Sequence, residues 1–120
     1  MKIIIKWKLD KNCQIVALAV DPVHDQVLIG VEKTIMIFDS IKGTEIASCE
    51  RHTNDITCLS VRKDGLFFAS GGKDNVVYIW DFLNLSKPVS KITYNDFPLQ
   101  VVYNPCILTV SFIKQKANYT

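Results

Sequence analysis

The sequence predicts an all-β chain in which short antiparallel strands form repeated four-stranded units. Three observations predict this: a pattern recurring about every forty residues, strands apolar on both faces, and turn-forming residues between them. Laid on itself, Cys13-Gln14-Ile15-Val16-Ala17-Leu18-Ala19-Val20 matches Asn54-Asp55-Ile56-Thr57-Cys58-Leu59-Ser60-Val61 at an offset of 41 residues. Gly30 to Asp39 matches Gly72 to Asp81 at an offset of 42, and a third copy opens at Leu99-Gln100-Val101-Val102-Tyr103-Asn104-Pro105, offset 43 from Ile56. One residue gained per copy is what variation in loop length gives to a repeat array.

Each element follows from its own residues. In the first copy Ile15 to Val20 reads as a strand, punctuated by Asp21-Pro22, and Lys42-Gly43 marks a later turn. In the second copy the strands are expected near 55–61, 66–71, 75–81 and 88–93. Val76-Val77-Tyr78-Ile79-Trp80 is β-branched and aromatic at successive positions, so both faces of that strand are apolar. Lys63-Asp64-Gly65 and Lys73-Asp74-Asn75 separate the strands with residues that tolerate positive backbone angles. A sheet apolar on both sides must be covered on both sides. An immunoglobulin-like sandwich would alternate polar and apolar residues and would not repeat at 41 or 42 residues. Four-stranded sheets stacked face to face every 40–45 residues describe a β-propeller.

Composition removes several function classes. Of 120 residues 48% are hydrophobic and 22% charged, which suits a packed core rather than a disordered chain. The net charge is +2, and the 14 Lys and Arg are scattered, which argues against a nucleic-acid surface. No apolar run approaches the ~20 residues of a membrane span. Ile3-Ile4-Ile5 is too short for a signal peptide and reads as a strand. Cys13, Cys49, Cys58 and Cys106 form no C-x-x-C pair, and His24 and His52 supply no ligand spacing, so neither zinc nor a disulfide framework is expected. Asn84-Leu85-Ser86 and Asn118-Tyr119-Thr120 match the glycosylation sequon, but carry no weight without secretion. The residues imply a cytoplasmic protein without cofactor.

His52, Asp64-Gly65, Phe68-Ala69-Ser70-Gly71-Gly72, Asp74 and Ile79-Trp80-Asp81, with His52 and Trp80 28 positions apart, resemble the WD-repeat family. Two departures stand out: Arg51 replaces the glycine before the histidine, and the first copy has Phe38-Asp39 for Trp-Asp and no histidine before Cys13. The resemblance implies a partial WD-repeat β-propeller over residues 1–105. Blade one would run from about 13 to 49, blade two from about 52 to 93, and the start of blade three from about 98 to 105. Residues 106–120 are expected to be a divergent tail, and the chain a truncated array. Trp7, Cys13, Phe67 to Gly71, Tyr94-Asn95-Asp96, Gln100, Val102 and Tyr103-Asn104-Pro105 are similar to WD-repeat subunits of intraflagellar transport complex A. That similarity implies a non-enzymatic scaffold in ciliary retrograde transport and cilium assembly. It would act in the cytoplasm, the cilium or flagellum and its basal body. Its partners would be other protein subunits of a multi-protein complex, with no nucleic acid, membrane insertion or small-molecule substrate. The alternative from another class is a substrate receptor or adaptor, for instance of a ubiquitin ligase.

Ser70, His52 and Asp74 include the residue types of a hydrolase triad. Ser70 lies inside a strand, however, without the G-x-S-x-G turn that exposes a nucleophile. The resemblance implies instead a structural tetrad of His52, Ser70, Asp74 and Trp80. In it the Trp80 indole donates to Ser70, Ser70 to one His52 nitrogen, and the other His52 N–H to Asp74. Asp39 and Asp81 are expected to accept from loop backbone, and His24 to be a solvated turn residue. Trp7 with Ile3 and Ile5 is expected to pack as a strand against blade one. Gly71-Gly72 is not a phosphate loop, since Lys73 is followed by Asp74 rather than Ser or Thr. No catalytic, cofactor or metal site is expected.

Overall fold

The computed structural model describes residues 15–21 and 23–112. Ten strands run through them: β1 Ile15–Asp21, β2 Gln26–Val31, β3 Thr34–Asp39, β4 Glu45–Glu50, β5 Ile56–Val61, β6 Phe67–Gly72, β7 Val76–Asp81, β8 Ser90–Thr93, β9 Gln100–Tyr103 and β10 Leu108–Ser111. They form two four-stranded antiparallel sheets, in the orders β1-β2-β3-β4 and β5-β6-β7-β8, and the hairpin β9-β10. The expectations for Trp7, Ile3, Ile5 and Cys13 fall outside the described residues.

The turns form where the sequence allows the backbone to reverse. Gly43 and Gly65 have φ of 72° and 73°, and Asp25, Glu32 and Asn75 have φ of 52°, 53° and 66°. Asn and Asp reach such angles at little cost, whereas Glu32 does so inside the two-residue link between β2 and β3. Pairing shifts at Ile15/Ala17 in β1 and at Ile56/Cys58 in β5, the equivalent strand of the second sheet. The repeat therefore includes its irregularities.

Alternation along each strand sends side chains to two different cores. From the first sheet Leu28, Ile35 and Ile37 pack with Ile56, Leu59, Phe68, Val76, Tyr78 and Trp80 of the second. From the other face of the second sheet Cys58, Ala69 and Val77 pack with Val101, and Ile79, Tyr103, Leu108 and Val110 border them. The middle sheet is thus covered on both faces, and each fully buried large apolar side chain contributes about 1.5–3 kcal/mol. Backbone and hydroxyl bonds join neighbouring sheets. The Ile56 N–H donates to the Glu32 carbonyl at 2.7 Å, and the Thr57 hydroxyl to the Pro98 carbonyl at 2.6 Å. The Tyr103 N–H donates to Ser60 Oγ at 3.0 Å. These are face-to-face propeller blades, two of them four-stranded, followed by one hairpin of a third.

One difference from the sequence reading is β10. Residues 106–120, which the sequence reading sets apart as a divergent tail, include Leu108 to Ser111, and these pair with Tyr103 to Gln100 in unbroken antiparallel register. Asn104-Pro105-Cys106-Ile107 makes the connection, closed by the Asn104 N–H donating to the Ile107 carbonyl at 2.9 Å. Leu108 and Val110 supply the apolar alternation that β9 needs, whatever their likeness to other sequences.

Candidate functional site

The four polar residues singled out in blade two meet at its inner strands. Ser70 lies on β6 and Trp80 on β7, His52 precedes β5, and Asp74 occupies the β6–β7 turn. Trp80 Nε1 donates to Ser70 Oγ at 2.9 Å, and His52 Nε2 is 2.8 Å from the same oxygen. His52 Nδ1 lies 3.1 and 3.0 Å from the two Asp74 carboxylate oxygens. The indole can only donate and the Asp74 carboxylate only accept, so Ser70 Oγ accepts from Trp80 and its O–H donates to His52 Nε2. His52 Nδ1–H then donates to Asp74. Asp74 also accepts from the backbone N–H of Thr53 at 3.0 Å and Val76 at 3.3 Å, tying the β4–β5 connection to the β6–β7 turn.

Burial shapes what this chain of bonds can do. Ser70 is 0% exposed, Trp80 1% and His52 3%. Burial is the main cause that pushes the His52 pKa below its ordinary value of 6.5, and the Asp74 carboxylate works in the opposite direction. The Tyr78 ring meets the imidazole edge-on with centroids 4.8 Å apart. Gly72 passes so close that a Cβ there would stand 2.7 Å from His52 Nδ1 and 2.8 Å from Asp74 Oδ1. A hydroxyl sealed this way, already accepting and donating, has no open path to a substrate.

The remaining candidates are dispersed. Asp39 Oδ1 accepts from the Ile41 and Lys42 N–H at 2.9 Å each, and Asp81 Oδ1 from the Leu83 N–H at 2.9 Å. The Lys42 and Ile41 amides hold the Asp39 carboxyl below the usual carboxylate range. Arg62 grips Asp64 through Nη2 at 2.7 Å and lies over the Phe67 ring at 4.5 Å. Burial pushes the Cys49 thiol up to about 12 and raises Cys58 as well, so neither is a ready nucleophile. Among the described residues no three His, Cys, Asp or Glu side chains gather closely enough to hold a metal ion.

The sequence reading missed one polar pair. Asp21 is fully buried, and its carboxylate lies 2.8 Å from His24 Nδ1 and accepts from the Val23 N–H at 3.0 Å. His24 remains 46% exposed, but it is anchored rather than merely solvated. It borders a cavity of about 210 Å³ between blades one and two, lined also by Ile37, Ala47, Leu66, Phe82 and Leu85. The only hint in the sequence was an acid three residues before a histidine, too common a spacing to single out.

With this geometry in view, comparison with known proteins is specific. Residues 43–81 match the WD domain, G-beta repeat. That span holds β4 of blade one and β5, β6 and β7 of blade two, so one sequence repeat straddles two blades and laces them together. The chain is 29% identical over 105 residues to the mouse intraflagellar transport protein 122 homolog, covering 88% of this chain and 9% of that protein. It is 33% identical over 88 residues to the Xenopus tropicalis homolog, covering 73% of this chain and 7% of that one. With zebrafish WD repeat-containing protein 18 it shares 35% identity over 75 residues, 62% of this chain and 17% of that protein. This chain therefore spans less than a tenth of the length of the intraflagellar transport relatives. Among solved structures, a chain of the mitotic checkpoint complex superposes with a TM-score of 0.73 at 27% identity, over 81% of this chain and 31% of that one. The Cps50 (Swd1) β-propeller domain of Myceliophteria thermophila superposes at 0.76 with 16% identity, over 86% and 35% of the two chains. The chain is a WD-repeat protein, folded as stacked β-propeller blades.

Proposed function

We propose that the chain is a non-enzymatic protein-interaction scaffold and works in intraflagellar transport, as part of a multi-subunit complex A at the cilium and its basal body. The observation that carries this is the extent of the similarity. Identity of 29% to the mouse intraflagellar transport relative runs over 105 residues, well beyond the 43–81 repeat that any WD-repeat protein shares. Geometry supports the absence of catalysis, because the only Ser-His-Asp grouping among the described residues is sealed inside blade two. Rigid blades present their loops and rim to other proteins, which is how a fold without a reactive centre acts. Within this reading His52, Ser70, Asp74 and Trp80 are a structural tetrad that fixes blade two.

The test is to express the tagged chain in ciliated cells and isolate what accompanies it. Co-isolation with other WD-repeat subunits of the transport complex, with signal at the basal body, is expected. Co-isolation with ubiquitin-ligase subunits and no ciliary signal would overturn the assignment in favour of an adaptor. A hydrolase activity lost in Ser70→Ala would overturn the non-catalytic reading.

A further inference from the structure

The cavity of about 210 Å³ between blades one and two has only two polar side chains in its lining, His24 and Gln26. Its inner part belongs to the core, because Ala47, Phe82 and Leu85 pack against the main cluster. Its shape is held from within. The Phe82 N–H donates to the Leu66 carbonyl at 3.3 Å, and the Phe82 ring leans on Phe68 with centroids 4.8 Å apart. At the rim Leu83, Ile46 and Leu66 are 91%, 50% and 49% exposed. His24 is held there by a carboxylate with no other access. Asp21 is fully buried and can only accept, so His24 Nδ1 carries the proton between them. Nε2 is left without a partner among the described residues, on a ring whose centroid lies 6.3 Å from that of Phe82. One aromatic ring from each blade thus borders the cavity, with a fixed acceptor on one of them.

We propose that this cavity is the docking site for a tryptophan side chain carried on a short segment of a partner protein. Size selects one large side chain. A cavity of about 150 Å³ binds benzene, whereas drug-sized ligands occupy about 300 Å³ or more. An indole packs against the two rings and gives its N–H to Nε2, which the neutral imidazole offers as an acceptor. The exposed rim continues the apolar surface past the cavity, where the residues flanking the tryptophan lie. A folded partner, a second copy of this chain included, brings about 20–30 residues to a standard interface. Ten residues line this site, which suits a segment instead. The proposal rests on the scaffold reading and names the feature of the partner that the chain grips.

The experiment immobilises the complete chain and offers it short displayed peptides with random flanks around a central tryptophan, beside a matched library with central alanine. Enrichment is expected from the tryptophan library alone. A selected peptide should bind about tenfold or more weakly to Ala47→Phe, which fills the cavity, and about threefold or more weakly to Leu83→Asp at the rim. Val102→Lys, on the third hairpin, should bind it unchanged. If Ala47→Phe lowers the denaturation midpoint, Leu83→Asp, on a side chain outside the core, carries the test. No enrichment, equal enrichment of both libraries, unchanged binding by Leu83→Asp, or a loss in Val102→Lys overturns the proposal. So does N-acetyltryptophanamide binding as tightly as the peptide, which assigns the cavity to a small molecule. Amide NMR shifts at Leu66, Phe82 and Leu83 that appear when the chain alone is concentrated assign it to a second copy and overturn the proposal too. The readout is peptide binding alone. A chain that selects tryptophan but never reaches the cilium refutes the transport assignment and keeps this one, and the converse result does the reverse.

Discussion

At Ser70 Oγ three groups depend on one oxygen: the Trp80 indole, the His52 imidazole and the hydroxyl's own proton. Ser70→Ala strands a buried donor on Trp80 and a buried acceptor on His52. A loss of about 1–3 kcal/mol in unfolding free energy is expected, readable in a denaturant titration, with the β-sheet circular dichroism unchanged. A variant as stable as the parent would mean that the bonds contribute nothing. His52 adds a pH dependence. Its native pKa lies below the ordinary 6.5, so acid protonates the unfolded chain first. This contribution is constant above about pH 6.5 and is lost as the pH falls from there toward the native value. The denaturation midpoint should fall between pH 7 and pH 5, and the fall should shrink in His52→Gln. A midpoint flat across that range in the unaltered chain would contradict the assignment.

Between elements, the decisive contact is turn against turn. The β5–β6 turn brings Gly65, at φ 73°, onto the β1–β2 turn, where a Cβ would stand 2.9 Å from Val23, 3.0 Å from His24 and 3.1 Å from the Asp21 carboxylate. Gly65→Ala therefore meets both backbone strain and a crowded neighbour across the blade junction. It should destabilise the chain by more than about 1 kcal/mol, measured by thermal or denaturant unfolding. Substitution without loss would show that the two turns part easily. The strands themselves were legible: 55–61, 66–71, 75–81 and 88–93 were expected, and Ile56–Val61, Phe67–Gly72, Val76–Asp81 and Ser90–Thr93 formed. Doubly apolar runs between Asp-Gly and Asp-Asn turns leave little choice. The Asp21–His24 pair was not legible, because nothing local shows that Asp21 is fully enclosed. β10 was hidden for the opposite reason. It is a short four-residue alternation, and it is defined by the partner it pairs with.

On the scale of the molecule, the stack has unequal ends. In blade one Val27, Ile29, Val31 and Phe38 are buried, whereas the third hairpin exposes Val102 and, in the adjoining loops, Leu99 at 44% and Ile107 at 72%. In the order β10-β9 each of the two strands has one partner, which leaves sheet edges within the described residues. Exposed apolar side chains beside an unpaired edge favour association. The isolated chain should therefore self-associate as its concentration rises in sedimentation velocity, and Val102→Lys should return it toward the monomer. A sedimentation coefficient independent of concentration would refute this.

The sequence by itself determined the repeat, the all-β class, most strand positions and the four residues that meet in blade two. The first three are local or periodic properties, read from apolar alternation and turn chemistry, and the four residues come from the resemblance to the WD-repeat motif. Only the tertiary structure decided how deeply those four residues are buried, that a fully enclosed Asp21 holds His24, and that Leu108 to Ser111 continue the third blade. Each of these depends on which sheet lies opposite. A strand's own residues say that it needs a cover, but the cover comes from a distant part of the chain.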